Sequence, residues 1–461
     1  MTEAALYPAA NSDSLLESRP GLSEAGSRRT SLSFFFVMLF TVAIYARPED
    51  IVPALGRFHL TFVLGLCAGF AYLGPFLLDN ASFVWTKELQ IVLLLTGCFV
   101  AGIPFAYWRG GSFQVLTQVW LKTLIIFFLL TQTLVTLERI HKILWAIIFS
   151  ELVVCAYSVV QSSHVVWVDQ RLSGVSLGIL GWNFLGIAAA LTIPYIAALY
   201  ISQPGFLKTG LLVSAVLFLL WMLVLTASRS GVLNVLFSIA LTWLVVLRGT
   251  FRGKFIGIGI VLIAIAAISM APGVFWERMS TVWSGSGSSQ NLAAASAIES
   301  EEERLGALHR AIHYTLQHPV FGLGLGNFEI ASGTELGRPE DWLGAHNTFA
   351  QISSEAGVPA LMLFISLLWT AIRRMKTLSK TIADGPEGFD LKLMARATWV
   401  SLLSFVFGAF FAHIGYEYFL YYPVAIAVGL QYLSRTTPAP SGSMAHSLIP
   451  ELQASATDGS S

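Results

Sequence analysis

The sequence predicts an all-α integral membrane protein with about twelve transmembrane helices and one large loop outside the membrane. Of its 461 residues, 55% are hydrophobic and only 12% are charged, whereas a soluble domain has roughly 25% charged residues. Its apolar segments approach the length of about 20 residues that a helix needs to cross a bilayer. They are far longer than the strands of roughly 10 residues in outer-membrane barrels, so helices are expected.

The apolar segments divide the chain into regions. Residues 1–30 are polar and are expected to form a disordered cytoplasmic leader, and residues 435–461 a disordered cytoplasmic tail. Transmembrane helices 1–9 are expected within 31–272 and helices 10–12 within 347–434, with the large loop at 273–346 between them. The candidate spans lie near 31–46, 58–78, 89–107, 118–136, 141–161, 177–200, 209–226, 231–247, 255–272, 347–371, 393–413 and 415–433.

Basic loops predict the orientation, because Lys and Arg are enriched on the cytoplasmic side of a membrane. With a cytoplasmic N-terminus and alternating spans, the cytoplasmic loops carry "RGTFRGK" at 248–254 and "RRMKTLSK" at 373–380. The loop near 162–176, the turn at Arg229, the large loop and "HIGYEY" at 413–418 then face outward. Each could be an ordinary solvated loop, but together they gather polar groups on one side.

An amphipathic helix is expected in "SAIESEEERLGALHRAIHYTLQHP", residues 296–319 of the large loop. Its apolar residues recur at helical spacing, and its glutamates lie early, where a helix N-terminus favours anions. At about 100° per residue, Arg304 borders the apolar stripe of this helix, while Arg310 points to solvent. Arg304 could therefore line a cavity, or it could pair with the neighbouring glutamates.

Two features follow this helix. The segment "HPVFGLGLGNF" at 318–328 has closely spaced glycines, which permit a tight or close-packed turn. It lacks the spacing and the Lys-Ser/Thr pair of a nucleotide-binding loop. His346 and Asn347 then stand at the entrance of the next span. Asn is a common helix-capping residue, and a neutral imidazole can accept a proton at neutral pH.

Several classes of ligand find no support in the sequence. The net charge is zero, so no global field favours nucleic acid. Cys67, Cys98 and Cys155 fall inside apolar segments without CxxC spacing and are expected to be core residues. His413 and Glu417 could share a helix face, but neither an HExxH motif nor a compact ligand triad occurs. No metal and no cofactor are therefore expected.

The order of motifs resembles the bacterial O-antigen ligase and polymerase superfamily. The glycine segment, a variable loop and then "HNTFAQISSEAGVPALMLF" at 346–364 are similar to its signature region. "LTASRSGVL" at 225–233 looks like its Ser-Arg-Gly turn, and "RLSG" at 171–174 resembles its earlier outer-loop arginine element. Leu308 and Ala360 depart from the pattern, where an aromatic residue and a glycine are frequent.

The resemblance implies a multi-pass glycosyltransferase of the bacterial inner membrane, with both termini cytoplasmic and no required metal. It would move a glycan from a polyprenyl-diphosphate carrier to lipid A core, or to another lipid or glycan acceptor, on the periplasmic face. Arg171, Arg229 and Arg304 suit a clamp on the diphosphate, because guanidinium groups bind phosphate oxygens bidentately. His346 suits the general base of an inverting transfer. Asn347 could orient this imidazole, bind the sugar or cap the helix.

Two other functions stay open at this point. A polymerase of the same superfamily would use a second lipid-linked repeat unit as acceptor, and it would need the same clamp and base. A polysaccharide or lipid transporter or flippase is the alternative from another class. Transporters usually have internal repeats and polar groups at mid-membrane, whereas the spans here carry few charges, with Glu151 near a helix end as one exception.

Overall fold

The computed structural model is helical throughout its regular elements, so the predicted all-α membrane fold is confirmed within the described residues. Most of the predicted leader and tail, and the predicted element at Arg171, lie outside those residues. The described residues are 30–79, 83–160, 182–203, 205–249, 292–337, 344–382 and 385–436, with isolated positions between 253 and 280.

The helices are numbered here in chain order. They are α1 (Ser31–Ala46), α2 (Leu60–Asp79), α3 (Lys87–Gly102), α4 (Arg109–Thr133), α5 (Leu137–Val160), α6 (Trp182–Ser202), α7 (Phe206–Thr226), α8 (Arg229–Leu247), α9 (Leu292–Gln317), α10 (Phe328–Glu335), α11 (Thr348–Thr381), α12 (Pro386–Ala409) and α13 (Tyr421–Thr436). Two short helical turns, Pro48–Ile51 and Pro53–Gly56, connect α1 to α2. Helix α4 contains a π-helical turn at Leu116–Trp120.

Among the described residues, 8 helices are long and apolar enough to cross a membrane, and α1 and the Leu60–Gly74 part of α2 are shorter apolar helices. The chain is therefore a multi-pass membrane protein, and the count of about twelve spans stays a prediction. The span predicted near 255–272 falls mostly outside the described residues. The predicted amphipathic helix of the large loop is present as α9.

The centre of the bundle is formed by α6, which packs against α8 and α12. Of its membrane-spanning window, 89% is buried, so its sequence is apolar on all sides rather than on one face. Close approach to α8 depends on paired glycines: a Cβ added at Gly186 would lie 2.3 Å from the Cα of Gly231. Small residues at such crossings allow helix backbones in membranes to touch.

A buried ion pair connects α3 and α11. Arg374 Nη1 donates to both carboxylate oxygens of Glu88, at 2.6 and 2.7 Å, and Glu88 is fully buried. Because Glu88 is in the first turn of α3 and Arg374 is near the end of α11, the two helices run antiparallel. The start of α11, with His346 and Asn347 before it, therefore lies at the opposite end of the bundle.

Candidate active site

Helix α11 is broken at Gly357, whose φ of 82° is in the left-handed region. Pro359 has no amide N–H and cannot donate to the carbonyl of Glu355, as a residue at that position of an α-helix otherwise would. The amide of Val358 turns away from the helix and leaves the carbonyl of Ser354 without its helical donor. Two successive carbonyls of α11 are therefore available to other partners.

The glycine segment binds at this break. Leu323 and Gly324 donate their amides to the two released carbonyls, at 2.8 Å each, and the carbonyl of Pro319 accepts the diverted amide of Val358 at 2.8 Å. Backbone hydrogen bonds thus fix the end of the large loop to the first half of α11.

The three glycines of this segment are required by packing. Gly322, Gly324 and Gly326 all have positive φ, of 64°, 93° and 67°. A Cβ at Gly322 would lie 2.3 Å from the backbone of Glu355, and one at Gly324 would lie 2.3 Å from the side chain of Ala106. The predicted close-packed turn is confirmed.

The carboxylate of Glu355 holds three separate elements together. It accepts the amide of Gly326 at 3.0 Å and the amide of Phe328, the first residue of α10, at 3.1 Å. It also accepts the hydroxyl of Tyr416 at 2.7 Å, from the loop between α12 and α13. Glu355 therefore pairs across the bundle and supports the site without contacting His346.

The loop between α12 and α13, residues 410–420, is fixed to the start of α11. The hydroxyl of Thr348 donates to the carbonyl of Ala412 at 2.7 Å and accepts the amide of Ile414 at 3.2 Å. Both bonds flank His413 in the sequence, so they hold its backbone beside the residues that precede α11.

Asn347 caps helix α11. Its Oδ1 accepts the amides of Phe349 and Ala350 at 2.9 and 3.0 Å, which are donors that the first helical turn leaves unpaired. Of the roles expected for Asn347, the hydrogen bonds show helix capping. Capping uses Oδ1, so the Nδ2 amide is the part of the side chain that could contact a substrate. His346 precedes the cap with a φ of 49°, which is uncommon for a residue with a side chain.

Two imidazoles and a carboxylate meet in front of α11. The rings of His346 and His413 are edge-to-face, with centroids 5.4 Å apart. Nε2 of His413 lies 3.7 Å from Oε1 of Glu329 on α10. Gly344 makes room for this arrangement, since a Cβ there would lie 2.4 Å from the ring of His413.

Burial keeps both imidazoles neutral at physiological pH. Burial, followed by the proximity of His413 and of the Arg304 guanidinium, lowers the pKa of His346 to about 3. Burial lowers the pKa of His413 to about 4 and raises the pKa of Glu329 to about 7. At neutral pH His346 thus has a ring nitrogen that can accept a proton, and Glu329 is close to its own titration point.

The arginines of α9 differ from the prediction in one respect. Arg304 is half-buried and lies near enough to His346 to affect its protonation, as expected for a residue that lines a cavity. The prediction that Arg310 points to solvent is wrong, because Nε of Arg310 donates to the hydroxyl of Ser332 at 2.7 Å. Helix α10, which the sequence did not reveal, covers that side of α9.

Arg229 begins α8 at the same end of the bundle. Gly231, two residues later, touches Gly186 of α6, and the ring of Phe184 on α6 packs edge-on against His413 at 6.2 Å. The start of α8 is therefore one helix away from the two imidazoles. Arg171 was predicted to join this group and lies outside the described residues.

Glu329 was missed in the sequence, and His413 was considered there only as a metal ligand. In the sequence, Glu329 resembles any acidic residue in the first turn of a helix. Glu329 and His413 are far apart in the chain, and only the fold brings them close. Within the described part of the chain, no group of three or more His, Cys, Asp or Glu residues could hold a metal ion.

Comparison with known proteins finds a family match in the part of the chain that includes the start of α11. Residues 214–365 match the family described as O-Antigen ligase. This range covers about a third of the chain and includes Arg229, Arg304 and His346, whereas His413 lies beyond it. No curated protein matches the chain. Through residues 214–365, the chain is similar to the O-antigen ligase family, which supports the resemblance to the O-antigen ligase and polymerase superfamily.

Proposed function

We propose that this protein is a ligase-type glycosyltransferase that moves a polysaccharide from a polyprenyl-diphosphate carrier to lipid A core or a similar acceptor. The observation that carries the proposal is the neutral imidazole of His346 beside the guanidinium of Arg304, inside the matched family region. A base and a cation in one place are what transfer from a lipid diphosphate requires.

His346 acts as the general base in this proposal. Its unprotonated ring nitrogen accepts the proton of the acceptor hydroxyl while that oxygen attacks the anomeric carbon of the donor. The new glycosidic bond forms as the bond between the anomeric carbon and the diphosphate oxygen breaks, and the electron pair leaves with the polyprenyl diphosphate. The attack comes from the face opposite the leaving group, so the anomeric configuration inverts, and the imidazolium then loses its proton to solvent.

Arg304 and Arg229, joined by Arg171, bind the diphosphate. Negative charge grows on the diphosphate as the sugar departs, so a cation placed there stabilises the transition state more than the bound substrate. Arg304 has a second effect, because its charge disfavours protonation of His346. The guanidinium of Arg304 therefore binds the leaving group and adds to burial and to His413 in disfavouring protonation of the base.

His413 and Glu329 position the base. The edge-to-face contact with His413 restricts rotation of the ring of His346, and the carboxylate of Glu329, 3.7 Å from Nε2 of His413, orients that second ring by its charge. A fixed orientation of the reacting groups is itself a large part of catalysis. Asn347 contributes by starting α11 directly after His346 and by offering its Nδ2 amide to the sugar.

The proposed reaction takes place on the periplasmic face of the inner membrane. The basic segments support this orientation, since Arg374 and the other Lys and Arg of "RRMKTLSK" lie in the last turns of α11, at the end opposite His346. Both termini are then cytoplasmic. A lipid-linked donor suits this side, where nucleotide sugars are scarce, and the clamp of arginines takes the place of a metal ion.

A deletion strain tests the function. Its surface glycans and lipid-linked intermediates are separated by size, with the wild-type gene restored as control. The ligase proposal predicts loss of long surface chains together with accumulation of lipid-linked polymer. Accumulation of single lipid-linked repeat units would instead identify a polymerase, and lipid-linked glycan held on the cytoplasmic side would identify a flippase.

A further inference from the structure

A polar cavity lies at the same end of the bundle as the two imidazoles. It has a volume of about 160 Å³ and is enclosed by the end of α1, the segment before α2, the outer half of α4 and the loop between α12 and α13. Its polar lining includes Arg47, Glu49, Gln118, Lys122 and Glu417. The proposed transfer reaction uses none of these residues.

The backbone around this cavity has two uncommon features. Arg47 has a φ of 46°, in the left-handed region that a residue with a side chain seldom adopts. Gln118 belongs to the π-helical turn Leu116–Trp120 of α4, and Lys122 lies two residues after it. Arg47 is the left-handed C-cap of α1, and its amide donates to the carbonyl of Ala43. π-Helical turns concentrate at functional sites, so the turn of α4 is the backbone feature that marks the lining of this cavity.

The charges of the lining are mixed. Arg47 and Lys122 supply donors, and Glu49 and Glu417 supply acceptors. Glu49 is held in place by the amide and hydroxyl of Thr61, at 3.0 and 3.2 Å. A phosphate would meet both carboxylates, so a strongly anionic ligand is disfavoured. A ligand with many hydroxyl groups, each able to donate and accept, can bond to cationic and to anionic side chains alike.

The size of the cavity agrees with one sugar ring. Since a water-sized group needs about 10–15 Å³ on this measure, the cavity holds roughly ten such groups, and a pyranose has about a dozen non-hydrogen atoms. Tyr418 adds an aromatic side chain to the lining. Aromatic surface combined with charged and amide side chains is the composition that a sugar ring and its hydroxyls require.

The cavity is joined to the proposed active site by one loop. Within residues 410–420, His413 contacts the proposed base and Glu417 lines the cavity. Phe184 touches His413, at 6.2 Å between ring centroids, and also Phe419, at 6.3 Å. The proposed diphosphate site lies with α8 and α9, whereas the cavity lies with α1 and α4, so the two sites approach His346 from different elements.

The lining residues also lie outside the matched family region, residues 214–365. That region holds the proposed base and two of the three arginines of the proposed clamp, Arg229 and Arg304. A site built entirely from the rest of the chain is placed to select a particular glycan.

From this geometry we infer that the cavity of Arg47, Glu49, Lys122 and Glu417 binds one pyranose unit of the acceptor glycan and so selects the acceptor. The identification of the sugar as part of the acceptor rests on the proposed function. Binding of a sugar in the cavity can be measured without any glycan transfer.

Equilibrium binding to the purified full-length protein tests it. The probe is the oligosaccharide released by mild acid from the surface glycolipid of the deletion strain, which carries no polymer. We expect Lys122→Met and Glu417→Gln each to weaken binding at least about tenfold, which corresponds to about 1.4 kcal/mol. Lys142→Met is the matched control, because Lys142 is exposed and paired with Glu138 on α5; its binding should equal that of the wild type.

The same assay separates this inference from the proposed function. His346→Ala should bind the probe as the wild type does, even though it transfers no glycan. If His346→Ala transfers glycan normally, His346 is not the general base. The binding data for Lys122→Met and Glu417→Gln still test whether the cavity binds the sugar. Equal binding by wild type, Lys122→Met and Glu417→Gln would overturn the inference. Preferential binding of an oligosaccharide from the polymer repeat unit would also overturn it, because the cavity would then serve the donor.

Discussion

The ring of His346 meets the ring of His413 edge-on, with 5.4 Å between their centroids. His346 lies within the matched region 214–365, whereas His413 lies beyond it in the chain. Two hydrogen bonds of Thr348 and the absence of a side chain at Gly344 make this contact possible. Burial lowers the pKa of both imidazoles, and the proximity of His413 lowers that of His346 further.

His413 should affect the rate more than binding. In His413→Phe the ring contact with His346 is kept, but the interaction with Glu329 is lost. We expect kcat to fall about tenfold, because orientation of the base is weakened, while KM for the lipid-linked donor changes less than about twofold. Steady-state kinetics of the purified protein measure both. His318→Phe, at an exposed position, is the control; equal kcat in the two variants would exclude a positioning role.

The pH dependence should follow Glu329 rather than His346. Because the pKa of His346 is lowered to about 3, its base form is present throughout pH 5–8 and gives no inflection near 6.5. Burial raises the pKa of Glu329 to about 7, so its carboxylate forms as the pH rises through 7 and its charge then orients the His413 ring, whose Nε2 lies 3.7 Å away. We therefore expect kcat/KM to rise through pH 7.

Glu329→Gln provides the matched test of this profile. An amide neither titrates nor carries the charge that orients His413, so kcat/KM of this variant should stay near the low-pH level of the wild type across pH 5–8. A wild-type inflection that persists unchanged in Glu329→Gln would assign the titration to another group.

Arg304 should control donor use. Lysine keeps the charge but loses the planar fork that binds two phosphate oxygens, so Arg304→Lys should raise KM for the donor about tenfold. Arg310→Lys is matched in chemistry and helix, and it can still donate to Ser332; its KM should match the wild type. An equal rise of KM in both variants would contradict the assignment of the clamp to Arg304.

Glu355 should determine the stability of the site. Glu355→Ala removes the acceptor of three hydrogen bonds and leaves the amides of Gly326 and Phe328 buried without it. Each unpaired donor costs about 1–3 kcal/mol. Thermal unfolding of the purified protein should therefore occur at a markedly lower temperature. Tyr416→Phe removes one of the three hydrogen bonds and should lower the unfolding temperature less. The reverse order would show that Glu355 does not hold these elements together.

The sequence predicted the elements whose signals are local. Hydropathy gave the all-α membrane fold, helical spacing gave α9, and the close spacing of Gly322, Gly324 and Gly326 gave a close-packed turn. The candidates Arg304 and His346 are brought together, although their spacing in the chain does not indicate it.

What the sequence could not give depends on contacts between distant elements. Arg310 was assigned to solvent from the helix face alone, and helix α10 changes its environment. Glu329 pairs with His413 across the bundle, and no periodic pattern connects them. The break of α11 could have been inferred from Gly357 and Pro359, but the partner of the released carbonyls could not.

The central claim is that His346 is the base for the acceptor hydroxyl, and glycan transfer by purified His346→Ala tests it most directly. The account predicts that kcat falls at least about a hundredfold, as removal of a general base does, while the donor still binds and the protein remains folded. His309→Ala, at an exposed histidine of α9, should transfer glycan at the wild-type rate. Transfer by folded His346→Ala at a rate within a few-fold of that control would contradict the account.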